Sequence, residues 1–168
     1  MAEPRNWTRM AIQRHHFELF ADYHQFYLQD EQADGNLGDS WTPEATARLL
    51  AVAPSTIGVG TVRNMTLPVD VEILDGPPQA TLDEWDQVNE CSIEVFSGRI
   101  VIAACTNYFP DAARIIVTPG TYRARVYYGK LDTLSDNGFE GEDYYRIVLW
   151  PGEAIAPSVL KKRSTACR

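Results

Sequence analysis

Stretches in which apolar and polar residues alternate recur along this chain, and they constrain its fold more than any other feature of the sequence. The clearest covers residues 67–73, where every odd position is apolar and where Asp70 and Glu72 stand between apolar neighbours. Side chains along a β-strand point to alternate faces, so this period of two predicts a strand with one buried face. Further strand-like stretches cover 56–62, 88–96, 99–105, 113–117, 122–128 and 144–150. The sequence therefore predicts a mainly β protein.

Turn signals that contain glycine separate several of these stretches. The Ser-Gly pair at 97–98 has the length and the glycine of a tight hairpin, and the Pro-Gly pair at 119–120 suits a type II turn. Residues 12–29 are rich in aromatic side chains and are predicted to form one long or bulged strand. About eight short strands joined in this way predict an antiparallel β-sandwich of jelly-roll-like architecture.

One short helix is expected within residues 41–50. Thr42 can cap its N-terminus, Pro43 suits the first helical position, and Glu44 complements the positive end of the helix dipole. Proline has no backbone N–H to continue a helix, so Pro54 is predicted to stop it.

The predicted strands and helix fit a single domain. A chain of 168 residues has the size of one domain, and an apolar fraction of 45% suffices for one hydrophobic core. Residues 1–153 are predicted to form this β-sandwich domain. Residues 154–168 lose the alternation and contain a basic run at 161–163, so they are predicted to be a disordered tail. The sequence has no run of about 18–20 apolar residues and no secretory signal, and the expected location is the cytoplasm.

The charge of the chain limits the partners that it can bind. Its formal net charge is −8 and its pI is near 4.8. Proteins that bind nucleic acid draw affinity from clustered cations, so direct binding to nucleic acid is disfavoured. An acidic surface is instead steered toward a basic partner. A basic protein is therefore the expected partner, and the oligomeric state stays undetermined.

The three histidines, His15, His16 and His24, fall close together near the start of the chain. On one continuous strand His16 and His24 would lie about 26 Å apart, at roughly 3.3 Å per residue, and would not bind one metal ion. Asp22 and His24 have the spacing of an acid–imidazole pair. They leave open an alternative function, a jelly-roll-type small-ligand binder or enzyme with a His/Asp pocket. No glycine-rich phosphate loop, paired-cysteine motif or HExxH motif occurs, so neither a cofactor nor a metal ion is predicted.

A loop rich in carboxylates is predicted at residues 131–143. Its acidic residues do not have the spacing of an EF-hand, which favours a solvated connector over a calcium site. The loop is longer than most connections, and this length favours contact with a partner. The carboxylates proposed for this contact are Asp132, Asp136, Glu140, Glu142 and Asp143.

Two segments carry a resemblance to a known family. Tyr-His-Gln-Phe at 23–26 is followed by Gln-Asp at 29–30 and then by Trp-Thr-Pro-Glu-Ala at 41–45. In this order and at this spacing the segments resemble the competence protein J family, known for an inhibitor of a DNA-entry nuclease. Downstream the resemblance is a pattern of alternating apolar residues, which ends in the aspartate-rich loop and a final strand.

The resemblance implies a protein that binds and inhibits a nuclease, not an enzyme. An acidic inhibitor would present carboxylates to a basic cleft that normally receives phosphates, which agrees with the charge of this chain. Interface hot spots favour large aromatic side chains, although the same side chains can pack a helix onto a sheet. The candidate contacts from these segments are Tyr23, His24, Phe26, Tyr27 and Trp41. Self-association through an exposed sheet edge stays open as a third hypothesis.

Overall fold

The computed structural model describes residues 12–79 and 81–164, and it consists mainly of β-strands. The strands are β1 (Gln13–Phe20), β2 (Gln25–Asp30), β3 (Leu50–Ala53), β4 (Thr56–Gly60), β5 (Thr66–Ile73), β6 (Gln87–Val95), β7 (Arg99–Ala104), β8 (Ala113–Ile116), β9 (Gly120–Gly129), β10 (Tyr144–Pro151) and β11 (Ser158–Lys161). The helix α1 (Pro43–Arg48) and two 3₁₀ turns, Asp22–His24 and Phe109–Asp111, complete the elements of the described part.

The strands form two sheets. Sheet A has the order β1-β5-β10-β9-β6-β11, and sheet B has the order β3-β4-β2-β7-β8. Every pairing is antiparallel except that of β5 with β10, which is parallel. The prediction of a mainly β sandwich is confirmed. The described residues contain eleven strands where about eight were predicted, because residues 12–29 form two strands and because β3 and β11 were not foreseen.

The core lies between the two sheets. Phe26 and Leu28 of β2 and the odd-numbered residues of β5 belong to this core, while Asp70 and Glu72 lie partly exposed on the opposite face of β5. The rings of Tyr128 and Tyr145 are buried in this core and meet edge to face, with 5.8 Å between their centroids. The period of two in β5 therefore predicted its buried face correctly.

The prediction of one strand over residues 12–29 is wrong. Tyr23 and His24 adopt the left-handed region, with φ of 59° and 57°, and they end β1 in sheet A before β2 begins in sheet B. The loop 61–65 holds this bend. Met65 O accepts from the Ala21 N–H at 3.0 Å, and His24 O accepts from the Thr61 N–H at 2.8 Å.

The hairpin predicted at residues 97–98 is also wrong, since β6 belongs to sheet A and β7 to sheet B. Asp30 at the end of β2 fixes this crossing. One of its carboxylate oxygens accepts from the Ser97 N–H at 2.8 Å and from the Ser97 hydroxyl at 2.9 Å. The Pro-Gly pair at 119–120 likewise turns the chain from β8 in sheet B to β9 in sheet A. Both turns thus join the two sheets.

The helix begins where the sequence predicts. Thr42 Oγ1 accepts from the Ala45 N–H at 3.1 Å, and Pro43 is the first helical residue. It ends earlier than expected, because Leu49 adopts a left-handed conformation with φ of 62° and the chain continues as β3. No helix in the described ranges is long and apolar enough to cross a bilayer.

Both sheets carry apolar clusters on their outer faces. On sheet A, Leu74, Leu82 and Trp85 pack in such a cluster, and the Trp85 ring lies 5.0 Å from the Tyr127 ring. On sheet B, Ala45 of α1 and Trp41 cover Tyr27 and Ala51. The outer face of sheet A continues to β11, which pairs with β6 at the sheet edge. This strand lies in the segment that was predicted to be disordered, and residues 165–168 lie outside the described part.

Candidate functional site

The bend at Tyr23 and His24 and the loop 131–143 meet at one end of the sandwich. The loop 61–65 connects them, since His24 Nδ1 lies 3.2 Å from Thr61 O and Arg63 Nε donates to Asp143 Oδ1 at 2.7 Å. We call the surface formed by Tyr23, His24, 61–65 and 131–143 the acidic end. The structure thus brings together two predicted groups of contacts that lie more than a hundred residues apart in sequence.

Asp143 is not part of the exposed surface. Its side chain is fully buried, and it accepts from Arg63 Nε and, at 2.7 Å, from the Tyr145 hydroxyl. Tyr145 in turn accepts from the Val62 N–H at 3.0 Å. Burial raises the pKa of Tyr145, and the Asp143 carboxylate adds to this rise, so the hydroxyl stays a donor. Asp143 therefore ties the loop to the core, and its buried side chain is not accessible to a partner.

The other four predicted carboxylates of the loop remain exposed: Asp132, Asp136, Glu140 and Glu142. Hydrogen bonds within the loop hold it in one conformation. Ser135 N–H donates to Glu140 O at 2.8 Å, and Ser135 Oγ accepts from the Glu140 N–H at 3.0 Å. Gly138 has a φ of 77°, a conformation that side chains with a Cβ rarely adopt. The loop is therefore a defined structure that presents charge.

Asp132 has a different surrounding from the other loop carboxylates. It lines a cavity of about 200 Å³ together with Asp86 and the basic residues 161–163. Lys161 Nζ donates to Leu82 O at 3.0 Å, which places this basic run beside the loop. The chain's own cations therefore line the same cavity as Asp132, while Glu140 follows Phe139, whose carbonyl accepts from Arg63 Nη1 at 3.5 Å.

The predicted aromatic contacts separate in the structure. Tyr23 is 72% exposed at the bend, and His24 is exposed beside it. Phe26 is fully buried and meets the Tyr145 ring edge to face, so it packs the core and is not available to a partner. Trp41 and Tyr27 are half-buried on the outer face of sheet B, where Trp41 Nε1 donates to Gln25 Oε1 at 3.1 Å. Only Tyr23 and His24 belong to the acidic end.

Sequence reasoning missed two exposed aromatic residues at this end. Phe139 is 58% exposed in the loop, between Gly138, which turns the chain, and Glu140, which carries charge. Tyr108 is 71% exposed in the connection between β7 and β8, and this connection lies at the same end because Ala104 pairs with Phe26. A large apolar side chain inside a polar loop was the available signal for Phe139.

The alternative His/Asp pocket does not receive support from the geometry. His24 Nδ1 contacts a backbone carbonyl, and Asp22 Oδ1 accepts from the Tyr23 N–H at 3.0 Å, so each group is engaged with the backbone. His16 lies on β1 and contacts Asp70 at 2.7 Å. Within the described ranges no three His, Cys, Asp or Glu side chains are grouped so that they could hold a metal ion.

Comparison with known proteins gives a result at the level of fold. No protein-family profile matches the sequence. No curated protein matches it significantly. Among solved structures, the crocagin biosynthesis protein J aligns with a TM-score of 0.59 and 21% identity over 86% of this chain and 100% of that chain.

The second structure is ComJ from Bacillus subtilis, an inhibitor of the DNA-degrading activity of NucA. It aligns with a TM-score of 0.64 and 17% identity over 86% of this chain and 98% of ComJ. The chain has the fold of ComJ, and the resemblance to the competence protein J family that the sequence suggested is confirmed at that level.

Proposed function

We propose that this protein inhibits a nuclease by binding it directly through the acidic end. One observation carries the proposal: exposed carboxylates and the exposed rings of Tyr23 and Phe139 belong to the same end of a sandwich that shares the fold of a nuclease inhibitor. The protein acts as a binding partner in the cytoplasm, without catalysis, and it contacts the nuclease rather than the nucleic acid.

The charges of the acidic end define the partner that it fits. Four exposed carboxylates on one loop match a cleft whose cations normally receive phosphates. Attraction between such surfaces raises the association rate and weakens with added salt. The partner is therefore a basic protein, and the complex forms faster at low ionic strength.

The aromatic residues supply the part of the affinity that does not depend on salt. Interface hot spots are enriched in large aromatic side chains, and their truncation commonly costs about 2 kcal/mol or more. Tyr23 stands on a bend held by backbone hydrogen bonds, and Phe139 stands in a loop held by its own. The backbone that carries each ring is thus fixed before binding, which lowers the entropy lost in the complex.

The proposal is tested first by capture of proteins from source cells at low and at high salt, followed by a nuclease assay with and without added protein. We expect a basic nuclease to be recovered at low salt and its activity to fall as the protein is added. A captured nuclease whose activity is unaffected, or nuclease activity that never falls, would contradict the proposal.

The surface is then tested by charge removal. A variant with D132N, D136N, E140Q and E142Q should inhibit the captured nuclease at least about tenfold more weakly at low salt, since rim charges act mainly on association. The matched control is D34N, D39N, E94Q and E153Q, which changes the same number of exposed carboxylates outside the acidic end. Equal loss in both variants would show that only total charge matters.

The anchors are tested by truncation. Tyr23→Ala and Phe139→Ala should each weaken inhibition by about 30-fold at any salt concentration, which corresponds to the hot-spot energy. Phe96→Ala is the control, because Phe96 is 48% exposed at the opposite end of the sandwich. Unchanged inhibition by both anchor variants would remove the rings from the contact surface.

A further inference from the structure

The outer face of sheet A contains two arginines that stack on tryptophans in the same way. The Arg125 guanidinium lies 5.4 Å from the centre of the Trp150 ring, and the Arg146 guanidinium lies 5.3 Å from the centre of the Trp85 ring. The two arginines stand on the neighbouring strands β9 and β10. Their surroundings differ in one respect, the presence of a carboxylate.

Arg125 has a carboxylate partner. Its Nε donates to Glu90 Oε2 at 3.0 Å, and Glu90 also binds Arg123. An indole and a carboxylate thus both contact this guanidinium, although Arg125 Nη1 stays buried without a hydrogen-bond partner within the described part.

Arg146 has no such partner among the described residues. Asp70 stands opposite it in the strand register, but the Asp70 carboxylate contacts His16 at 2.7 Å. Glu72 lies 3.9 Å from Arg14. The Nε of Arg146 is buried and has no hydrogen-bond partner within the described part. Arg146 also lines a cavity, where an oxyanion supplied from outside could pair with the guanidinium as a carboxylate does at Arg125.

A cavity of about 230 Å³ lies beside Arg146. Trp85, Tyr127, Pro78 and Val148 contribute one apolar wall, while polar atoms, among them those of Arg14, make up the larger part of the cavity surface. This volume is below that of most drug-sized ligand sites and suits a ligand of amino-acid size. Glu72 and Glu84 also line the cavity, and their charges oppose a doubly charged phosphate. A single carboxylate on an apolar body fits both the walls and the charges.

We propose that this groove binds a small monocarboxylate with an apolar body, whose carboxylate pairs with the Arg146 guanidinium. The site lies on the outer face of sheet A, apart from the acidic end, and it adds a ligand-binding function to the proposed inhibition of a nuclease. Binding of the ligand at this site is expected whether or not a nuclease is bound.

The probe is N-acetylphenylalanine, which carries one carboxylate and one ring, and binding is followed by isothermal titration calorimetry. N-acetylphenylalaninamide has the same body without the charge and should bind about tenfold or more weakly, since it loses the charged hydrogen bonds to Arg146. Inorganic phosphate tests a plain anion and should also bind more weakly. Equal binding of the amide or of phosphate, or no binding of N-acetylphenylalanine at about 10 mM, would overturn the proposal.

Variants locate the site. Arg146→Gln should reduce the affinity for N-acetylphenylalanine by about tenfold or more, while Arg99→Gln on sheet B should leave it unchanged. Unchanged affinity of Arg146→Gln would overturn the assignment to this groove. If Arg146→Gln fails to fold, the comparison of acid, amide and phosphate on the unaltered protein still decides. Inhibition of the captured nuclease by Arg146→Gln should stay normal, which separates this site from the acidic end.

Discussion

The two ends of the sandwich use carboxylates in opposite ways. At the end formed by residues 30–32 and 97–99, which we call the closed end, the fully buried Asp30 accepts three hydrogen bonds, from the Ser97 N–H, the Ser97 hydroxyl and the Gln32 N–H. Glu31 follows it and pairs with Arg99 and Arg114. The carboxylates of Asp30 and Glu31 at the closed end are thus engaged in hydrogen bonds and ion pairs within the fold.

At the acidic end only Asp143 has a buried carboxylate that is engaged with other side chains of the fold. The loop that contains it satisfies its backbone through hydroxyl and amide side chains, such as Ser135 and Asn137, and leaves its other carboxylates in solvent. Charge at a turn therefore has two distinct roles in this molecule. Buried carboxylates join the strands, and exposed ones remain available for contact. Substitutions should separate the two roles by their effect on stability.

The largest effect is expected at Asp143. Asp143→Ala leaves Arg63 without its partner in a nearly buried site, and the free energy of unfolding should fall by about 3 to 5 kcal/mol, the cost of breaking a buried ion pair from one side. Urea denaturation measures the change. The control is Glu142→Ala at the preceding position. The Glu142 side chain is 71% exposed, and its loss should lower the free energy of unfolding by less than about 0.5 kcal/mol. Similar losses in both variants would break the distinction between buried and exposed loop charges.

The next largest effect is expected at the closed end. Asp30→Ala removes the acceptor that fixes the crossing from β6 to β7, and it should cost about 2 to 3 kcal/mol because the donors of Ser97 lose a charged partner. Asp34→Ala, four residues later and exposed, is the control and should be neutral. A stable Asp30→Ala protein would show that the crossing is held by core packing alone.

A small effect on stability is expected at the loop carboxylates whose removal is proposed to weaken binding. Neutralising Asp132, Asp136, Glu140 and Glu142 together should change the free energy of unfolding by less than about 1 kcal/mol, since exposed charges contribute little. The urea midpoint measures this change. A large loss would mean that the exposed loop charges are also part of the structure.

The smallest effect concerns pH. Hydrogen bonding to Arg114, with a further contribution from the charge of Arg99, lowers the pKa of Glu31 below its ordinary value of 4.5. The stabilisation by this carboxylate is thus fully present above the ordinary value and is lost as the pH falls through the lowered pKa. The free energy of unfolding of Glu31→Gln should be lower than that of the parent at neutral pH, and this difference should shrink as the pH falls. A gap that is constant with pH would assign the effect to packing.

The positions of the strands were easier to predict than the neighbours with which each strand pairs. The alternation in β5 and the capping residues of α1 are local signals, and both were correct in the structure. The turn at 97–98 carries the same glycine signal whether it forms a hairpin or crosses between sheets. Its outcome depends on Asp30, which is 67 residues away from Ser97. Information of this kind is not present in the turn itself.

The same limit applies to the candidate site. In the sequence Asp143 is one acidic residue among several in a polar loop, and only Arg63, 80 residues earlier, distinguishes it from Glu142. Tyr23 was predicted as a contact and is exposed, whereas Phe26, three positions later, fills the core. The assumption of one continuous strand concealed this difference, because the left-handed bend changes the sheet to which the chain belongs.

The bend itself has an evolutionary consequence. A Cβ disfavours the backbone conformation that Tyr23 and His24 both adopt, and glycine would accept it without strain. Selection for thermostability alone should replace these residues with glycine or asparagine. Under the proposed function, a lineage that keeps the nuclease partner should retain Tyr23 despite the strained backbone, whereas one that loses the partner should drift toward glycine at 23 and 24.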